Sequence, residues 1–426
     1  MKLNLLLTGN EIMAGDVIDS NSARIAQQLN PHGWRVYKKV TVGDDLALLC
    51  QQIDKLCDDG DVLIINGGLG PTVDDLTAAA LSAVSQQPLC EHPRGMRELQ
   101  AWCDKRGFTL NEANRKQAIL PQGCDIISNA RGSAPGIQLE HKGCLVIATP
   151  GVPSELQQML ADEILPLLLQ RFDSDHIQTL RLGVFGLGES SIQELFDREL
   201  PHWPDDIELG FRASMPVLEV KLTASGANSG EQLARWRKPV EALLGDHLLG
   251  ELPVTLSDAL VNTLRKHSLS LSTAESCTGG LIAAQITSVP GASEVYPGGI
   301  VSYSNAMKMS QLGVNASSLE TYGAVSETVA KEMATGALVA TQSDLAIAVT
   351  GIAGPGGGSE EKPVGTVWIA WGRSENLHSV CLQLPFDRQG FQLWVAALAQ
   401  ELLRREVLGI SGLPSLVQRY RRGGSI

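Results

Sequence analysis

The sequence predicts an α/β protein in three parts, and three observations carry that expectation. Strand-length apolar runs alternate with helix-length amphipathic runs at both ends of the chain. Glycine is frequent, at 43 residues, while aromatic residues make up only 4%, which suits many tight strand-to-helix turns. The 426 residues and 43% hydrophobic content allow two or three domains with packed cores. The expected regions are 1–169, an α/β domain; 170–250, a small α+β module; and 254–410, a second α/β domain.

Met1 to Gly9 reads as the first strand, being too short and too polar for a signal peptide. Val36 to Val42 is the second strand pattern, and Asp61 to Asn66 is an apolar run of strand length. That run ends in Gly67-Gly68-Leu69-Gly70-Pro71-Thr72, then Asp74-Asp75 and a helix over 76–84. Glycines between a buried strand and a helix N-terminus are how α/β proteins bind phosphate. The spacing is neither G-x-G-x-x-G nor a Walker loop. Adjacent carboxylates beside a phosphate loop suggest a divalent metal; the alternative is that one or both of Asp74 and Asp75 cap the helix. Thr8 to Ile12, Asp16 to Asn21, Gly43-Asp44-Asp45 and Pro150 to Glu155 also fall at strand C-terminal ends, the usual ligand edge of an open parallel sheet. A helix over 155–169 closes this region.

The middle module shows strands near 179–185 and 217–224 and helices at 189–198 and 232–244. Leu249 to Pro253 reads as a linker. A helix over 256–266 opens the last region, which runs to about Leu408.

The most informative stretch is Thr273-Ala274-Glu275-Ser276-Cys277-Thr278-Gly279-Gly280. It lies between a strand pattern at 269–272 and a helix pattern at 281–286. Ser276 and Cys277 would sit at the turn, with the free N–H groups of the first helical turn facing a ligand. A nucleophile beside amide donors suits acyl transfer; the plainer reading is a serine helix cap. Downstream, Tyr303-Ser304-Asn305-Ala306-Met307-Lys308 supplies a lysine that could take the serine proton if its pKa is lowered. It also supplies a tyrosine able to relay that proton or to donate to an oxyanion. Ala348 to Gly358 is a strand entering a glycine-rich loop that can hold a phosphate. Together these point to hydrolysis of a phosphorylated substrate. Cys277 competes with Ser276 as nucleophile, but no histidine lies near it in sequence, and packing inward under the turn is the other reading.

The formal net charge of −13 argues against broad nucleic-acid binding. The exception is Arg419-Tyr420-Arg421-Arg422, read as a solvated C-terminus. Eight scattered cysteines without C-x-x-C spacing fit a reducing cytoplasm. No apolar run is long enough to span a bilayer. Neither nucleic acid nor membrane is an expected partner.

T-A-E-S-C-T-G-G, Y-S-N-x-x-K, G-A-V-S-E at Gly323 to Glu327, and the run Thr350 to Val367 resemble the C-terminal domain of the CinA family. G-G-L-G-P-T-x-D-D, N-R-K-Q-A at Asn114 to Ala118, and P-G-V-P-S-E resemble its N-terminal half, which shares the molybdopterin-binding, MoaB/MogA-like three-layer fold. The resemblance spans the whole chain. It implies a C-terminal α/β deamidase domain that hydrolyses nicotinamide mononucleotide to nicotinate mononucleotide and ammonia without a cofactor. Ser276, Tyr303 and Lys308 map onto the catalytic positions. Thr278, Gly279, Gly280, Gly351, Ala353 and Gly354 map onto substrate contacts. For the N-terminal domain it implies an ADP-ribose pyrophosphatase. Gly67, Gly68, Gly70, Pro71 and Thr72 would contact substrate there, and Glu11, Asp74 and Asp75 would hold a divalent metal (Co2+, Mg2+ or Mn2+). Asn10 departs from the pattern, since many relatives carry an acid there. The resemblance also implies a homodimer. A molybdopterin-binding N-terminal half and a non-enzymatic role in DNA uptake are the competing readings; the acidic composition and the lack of a basic stripe speak against the latter.

Overall fold

The computed structural model describes residues 1–422. Its chain divides into two compact units, Met1–Gln178 with Ser225–Gly230, and Thr179–Ala224 with Glu231 onward.

In the first unit, Leu3–Thr8, Val62–Asn66 and Cys144–Thr149 are buried along their whole length. Such runs can sit only at the centre of a sheet covered on both faces. The sheet order is Val36–Val42, Leu3–Thr8, Val62–Asn66, Cys144–Thr149, Gly136–His141, Asp125–Ile127. The first four are parallel, Gly136–His141 pairs antiparallel with Cys144–Thr149, and Asp125–Ile127 pairs antiparallel with Gly136–His141. Alternation with period two splits the side chains. Leu3, Leu5, Val62 and Ile64 pack against Ile25, Leu29, Leu156 and Met159. Leu6, Leu63, Ile65 and Val146 pack against Leu49, Ile53, Ala80 and Leu81. This is the expected three-layer domain. The helix foreseen over 155–169 is a longer run, Pro153–Met159, a wide turn at Leu160–Ile164, then Leu165–Arg171.

The second unit holds two sheets. One has the order Ile207–Ser214, Val217–Ser225, Ile177–Val184, Leu248–Glu251. Leu249 to Pro253 is therefore not a free linker: Leu248–Glu251 pairs antiparallel with Ile177–Val184, because sheet pairing overrides the local turn chemistry of Gly250 and Pro253. Phe185 joins the core of the neighbouring helices, with its ring 6.4 Å from that of Trp394.

The other sheet runs Gly298–Val301, Leu271–Glu275, Leu345–Gly351, Thr366–Arg373, Asn376–Gln383. Its first three strands are parallel and its last two form an antiparallel hairpin. Helices Leu256–His267, Leu281–Thr287 and Arg388–Val407 cover one face and Glu327–Thr341 the other. The strand expected at 269–272 is Leu271–Glu275, which carries the T-A-E of the motif into the sheet and leaves Ser276 at its end.

The C-terminal arginines are not a solvated tail. Ser415–Tyr420 is a helix with Val417 buried, and the Arg422 amide donates to the Cys381 carbonyl at 2.9 Å. Apolar anchoring of Val417 and Tyr420 against the core outweighs the charge of the neighbouring guanidinium groups. All eight cysteines are free thiols. Among the described residues no helix is long and apolar enough to cross a membrane.

Candidate active sites

Ser276 follows the strand Leu271–Glu275 directly. Its amide donates to the Val349 carbonyl at 3.1 Å, which fixes the turn to the neighbouring strand. Lys308 reaches it from a separate helix, Asn305–Leu312, whose N-cap is Ser304; the Ser304 hydroxyl accepts from the Met307 amide at 3.2 Å. The spacing of Y-S-N-x-x-K thus has a physical reason. The serine starts the helix, and the lysine lies one turn in, where helical side chains lean back toward the N-terminus.

Lys308 Nζ lies 2.8 Å from Ser276 Oγ and donates to the Ser302 carbonyl at 2.7 Å. Both side chains are enclosed, Ser276 at 8% and Lys308 at 1% exposure. No carboxylate is paired with this lysine among the described residues. Burial outweighs the opposing influence of the neighbouring Cys277 thiol and holds the Lys308 pKa below its ordinary 10.5. A lysine that loses its proton early, hydrogen-bonded to a serine hydroxyl, can act as that serine's base.

Cys277 belongs to the apolar core, and its thiol is pushed up to about 12 by burial. The inward-packing reading of this residue holds. Gln392 Nε2 donates to the Cys277 carbonyl at 2.8 Å, bracing the turn from the long C-terminal helix.

The helix after the turn differs from expectation. Its first amides are not free to face a ligand, because the buried Glu275 carboxylate takes them. Glu275 accepts from the amides of Gly280 (3.1 Å), Ile282 (3.1 Å) and Ala283 (2.8 Å), and from the Thr278 hydroxyl (2.7 Å). A negative charge at a helix N-terminus is where the helix dipole favours it. On this turn the amides of Cys277 and Thr278, which follow Ser276, are turned toward the Cys277 sulfur. We expect Glu275→Ala to lower the unfolding free energy by on the order of 3 kcal/mol, since a carboxylate with four donors is lost from the interior. Urea unfolding checks this, and a loss under about 1 kcal/mol would remove Glu275 from this structural role.

Tyr303 is not on the serine–lysine pair. It is 64% exposed, and its hydroxyl accepts from Arg388 Nη2 at 3.0 Å, while Arg388 Nη1 donates to the Gly354 carbonyl at 2.8 Å. Arg388, not singled out from the sequence, thus joins the tyrosine to the glycine-rich loop. The expected substrate contacts divide. Gly279 has open space where a Cβ would stand. The Thr278 hydroxyl is held by Glu275, Ala353 lies in the core, and added Cβ atoms would meet Phe391 at Gly351 and Val301 at Gly280. Glu275 was missed because its role reaches forward to the helix; its signal was a buried-strand carboxylate just before a T-G-G turn.

The N-terminal residues form a second site. A cleft of about 620 Å3 is lined by Gly67, Gly68, Gly70, Pro71, Glu11 and Asp74, among others. Gly67 and Gly68 are required by crowding: at φ of +114° and +67°, an added Cβ would stand 2.5 Å from the Thr8 carbonyl oxygen and 2.4 Å from Thr77 Oγ1. Asp75 Oδ2 accepts from both the amide (2.8 Å) and hydroxyl (2.6 Å) of Thr72. Asp75 therefore ties the loop, and neither aspartate caps the helix Thr77–Ser85, whose N-cap is Leu76 without a side-chain bond. Lys116, from the N-R-K-Q-A motif, donates to the carbonyls of Thr72 and Asp75 and pins the same loop. Asn10 Oδ1 accepts from the Asp44 amide at 3.1 Å, and Asp44 Oδ2 accepts from the Asn10 amide at 3.0 Å, a pairing an acid at position 10 could also make. Glu11, Asp74 and Asp75 line one cleft, but among the described residues no three His, Cys, Asp or Glu side chains converge as a metal-binding group.

Comparison with known proteins agrees with this division. The family profile "CinA C-terminal domain" matches residues 254–407, and "Probable molybdopterin binding domain" matches residues 4–170. A CinA-like protein of Colwellia psychrerythraea is 50% identical over 420 residues, covering 98% of this chain and 97% of that protein. A CinA-like protein of Shewanella woodyi is 39% identical over 411 residues, covering 96% of each. Among solved structures, the competence/damage inducible protein CihA from Agrobacterium tumefaciens is 42% identical, with 34% of this chain and 90% of that chain covered, at a TM-score of 0.34.

Proposed function

The chain belongs to the CinA family, and on that premise we propose that its C-terminal domain hydrolyses the carboxamide of nicotinamide mononucleotide. The observation that carries this is the enclosed 2.8 Å contact between Lys308 Nζ and Ser276 Oγ. Ser276 Oγ attacks the amide carbon as Lys308 takes its proton. The tetrahedral intermediate expels ammonia, which takes the proton from Lys308, and leaves an acyl-serine. Water then attacks the ester, Lys308 accepts its proton, and nicotinate mononucleotide leaves as Ser276 is reprotonated. Tyr303 and Arg388, at the mouth of the glycine-rich loop, would hold the substrate phosphate. Incubation of the purified protein with nicotinamide mononucleotide should give ammonia and nicotinate mononucleotide in equal amounts. Release of nicotinamide, or of neither product, would overturn the reading.

For the N-terminal domain we propose metal-dependent hydrolysis of ADP-ribose to AMP and ribose 5-phosphate. What supports it is the glycine-lined cleft with carboxylates at its edge. Three protein ligands do not converge there, yet Mg2+-like ions are commonly held by one or two carboxylates together with substrate phosphates. Glu11 and Asp74 suit that arrangement, and Asp75 would act by holding the loop. A bound metal would supply charge neutralisation at the diphosphate. A chelator should therefore stop AMP release from ADP-ribose and spare ammonia release from nicotinamide mononucleotide. Equal loss of both rates would refute separate mechanisms. A domain that binds molybdopterin but releases no AMP under any metal would instead take the role suggested by its molybdopterin-binding profile.

A further inference from the structure

A third cavity, of about 550 Å3, lies within the second unit, away from Ser276. Its volume falls within the range of roughly 300–1,000 Å3 common for small-molecule sites. It is lined by the four-stranded sheet and the turn Ser214 to Val217, by Leu252 to Ser257, and by Gln285 and Gln400.

The charge of this cavity is unbalanced. Arg181 Nη1 lies 2.9 Å from Glu219 Oε1, and Arg212 Nε lies 2.8 Å from Glu219 Oε2. Arg212 and Glu219 stand directly opposite each other on paired strands. Two guanidinium groups thus share one buried carboxylate, leaving one formal positive charge. Both arginine side chains are nevertheless substantially exposed, at 45% and 70%. A guanidinium carries five N–H donors, so at that exposure both retain donors open to water or to a ligand. Planar forked donors of this kind match phosphate and carboxylate oxygens.

The rest of the cleft is apolar or neutral. Met215, Pro216, Leu252 and Val254 line it, and Met215 is exposed, although a flexible thioether adapts well to a flat ring. The polar lining is already ordered: the Ser257 hydroxyl donates to Gln400 Oε1 at 2.7 Å, and Gln400 Nε2 donates to Gln285 Oε1 at 2.7 Å. The Gln285 carboxamide N–H groups remain as donors. A cationic edge, apolar side chains and amide donors fit an anion carrying a ring.

We propose that this cleft is a third ligand site, which binds a phosphorylated ring compound of nucleoside monophosphate size. Its phosphate lies against Arg181 and Arg212 and its ring between Met215 and Val254. The inference does not depend on what the Ser276 site hydrolyses.

The test is calorimetric titration of the full chain with AMP, with adenosine and with inorganic phosphate. Wild-type protein should bind AMP more tightly than either fragment. Arg212→Ala should weaken one class of AMP site at least tenfold. The fold should survive, because Glu219 keeps Arg181 as its partner. Val254→Trp, which fills the cleft with a large side chain, should remove the same class of site, and the melting curve of each variant reports whether it is folded. AMP isotherms that superimpose for wild type and Arg212→Ala would overturn the proposal. So would a Val254→Trp variant, folded, that binds AMP as wild type does, and so would phosphate alone binding as tightly as AMP.

Discussion

Ser276→Ala should lower the turnover of nicotinamide mononucleotide amide hydrolysis on the order of 10⁴-fold, whereas Cys277→Ala should keep most of the activity. The first figure is the usual scale for losing a covalent nucleophile. The contrast rests on two adjacent residues in opposite environments. The Ser276 hydroxyl is 2.8 Å from the Lys308 amine. The Cys277 side chain faces the core, and burial pushes its thiol up to about 12, far from a thiolate at neutral pH. Removing the sulfur leaves a small cavity and a modest loss of stability, with the reacting pair intact. Steady-state ammonia release and acyl-enzyme trapping by mass spectrometry distinguish the cases. An inactive Cys277→Ala beside an active Ser276→Ala would invert the assignment.

The serine and lysine were legible because each sits in a short motif whose local chemistry is complete. Ser276 directly follows a strand and stands just ahead of a T-G-G turn; Ser304 caps the helix that carries Lys308. What was not legible depends on groups far apart in sequence. Glu275 looks like one more strand residue until the helix beginning at Leu281 turns its amides onto the carboxylate. Tyr303 is five residues from Lys308, yet its hydroxyl goes to Arg388, which is 85 positions away. In the fold, fully apolar runs such as Val62–Asn66 identified central strands unaided. Leu248–Glu251 did not, since Gly250 and Pro253 have the composition of a linker and only pairing with Ile177–Val184 makes the segment a strand. The N-terminal carboxylates show the same limit. Their position beside the glycine loop was read correctly, but the bond of Asp75 to Thr72 could not be told from metal binding by spacing alone.

Lys308→Met should reduce amide hydrolysis by roughly 10²–10⁴-fold, the range for loss of a general base. Lys308→Arg should be as inactive, because a guanidinium keeps its proton in proteins. The arginine variant separates a base from a merely positive or space-filling side chain. The pH dependence follows from burial, which lowers the Lys308 pKa from 10.5. The active form is the free amine, so the wild-type rate should rise with pH through the folded-state pKa, at a pH below the ordinary lysine range. Lys308→Met should lose that limb. Stability has a matching sign. Between the lowered folded pKa and 10.5 the unfolded chain binds more protons at this residue than the folded one, so unfolding free energy rises with pH in that window. Below the folded pKa both states hold the proton, the slope vanishes, and the cost of the buried charge is fully present. The difference between wild-type and Lys308→Met unfolding free energies should therefore vary with pH in that window and be flat beneath it. An active Lys308→Arg, or a rising limb that persists in Lys308→Met, would place the proton acceptor on another group.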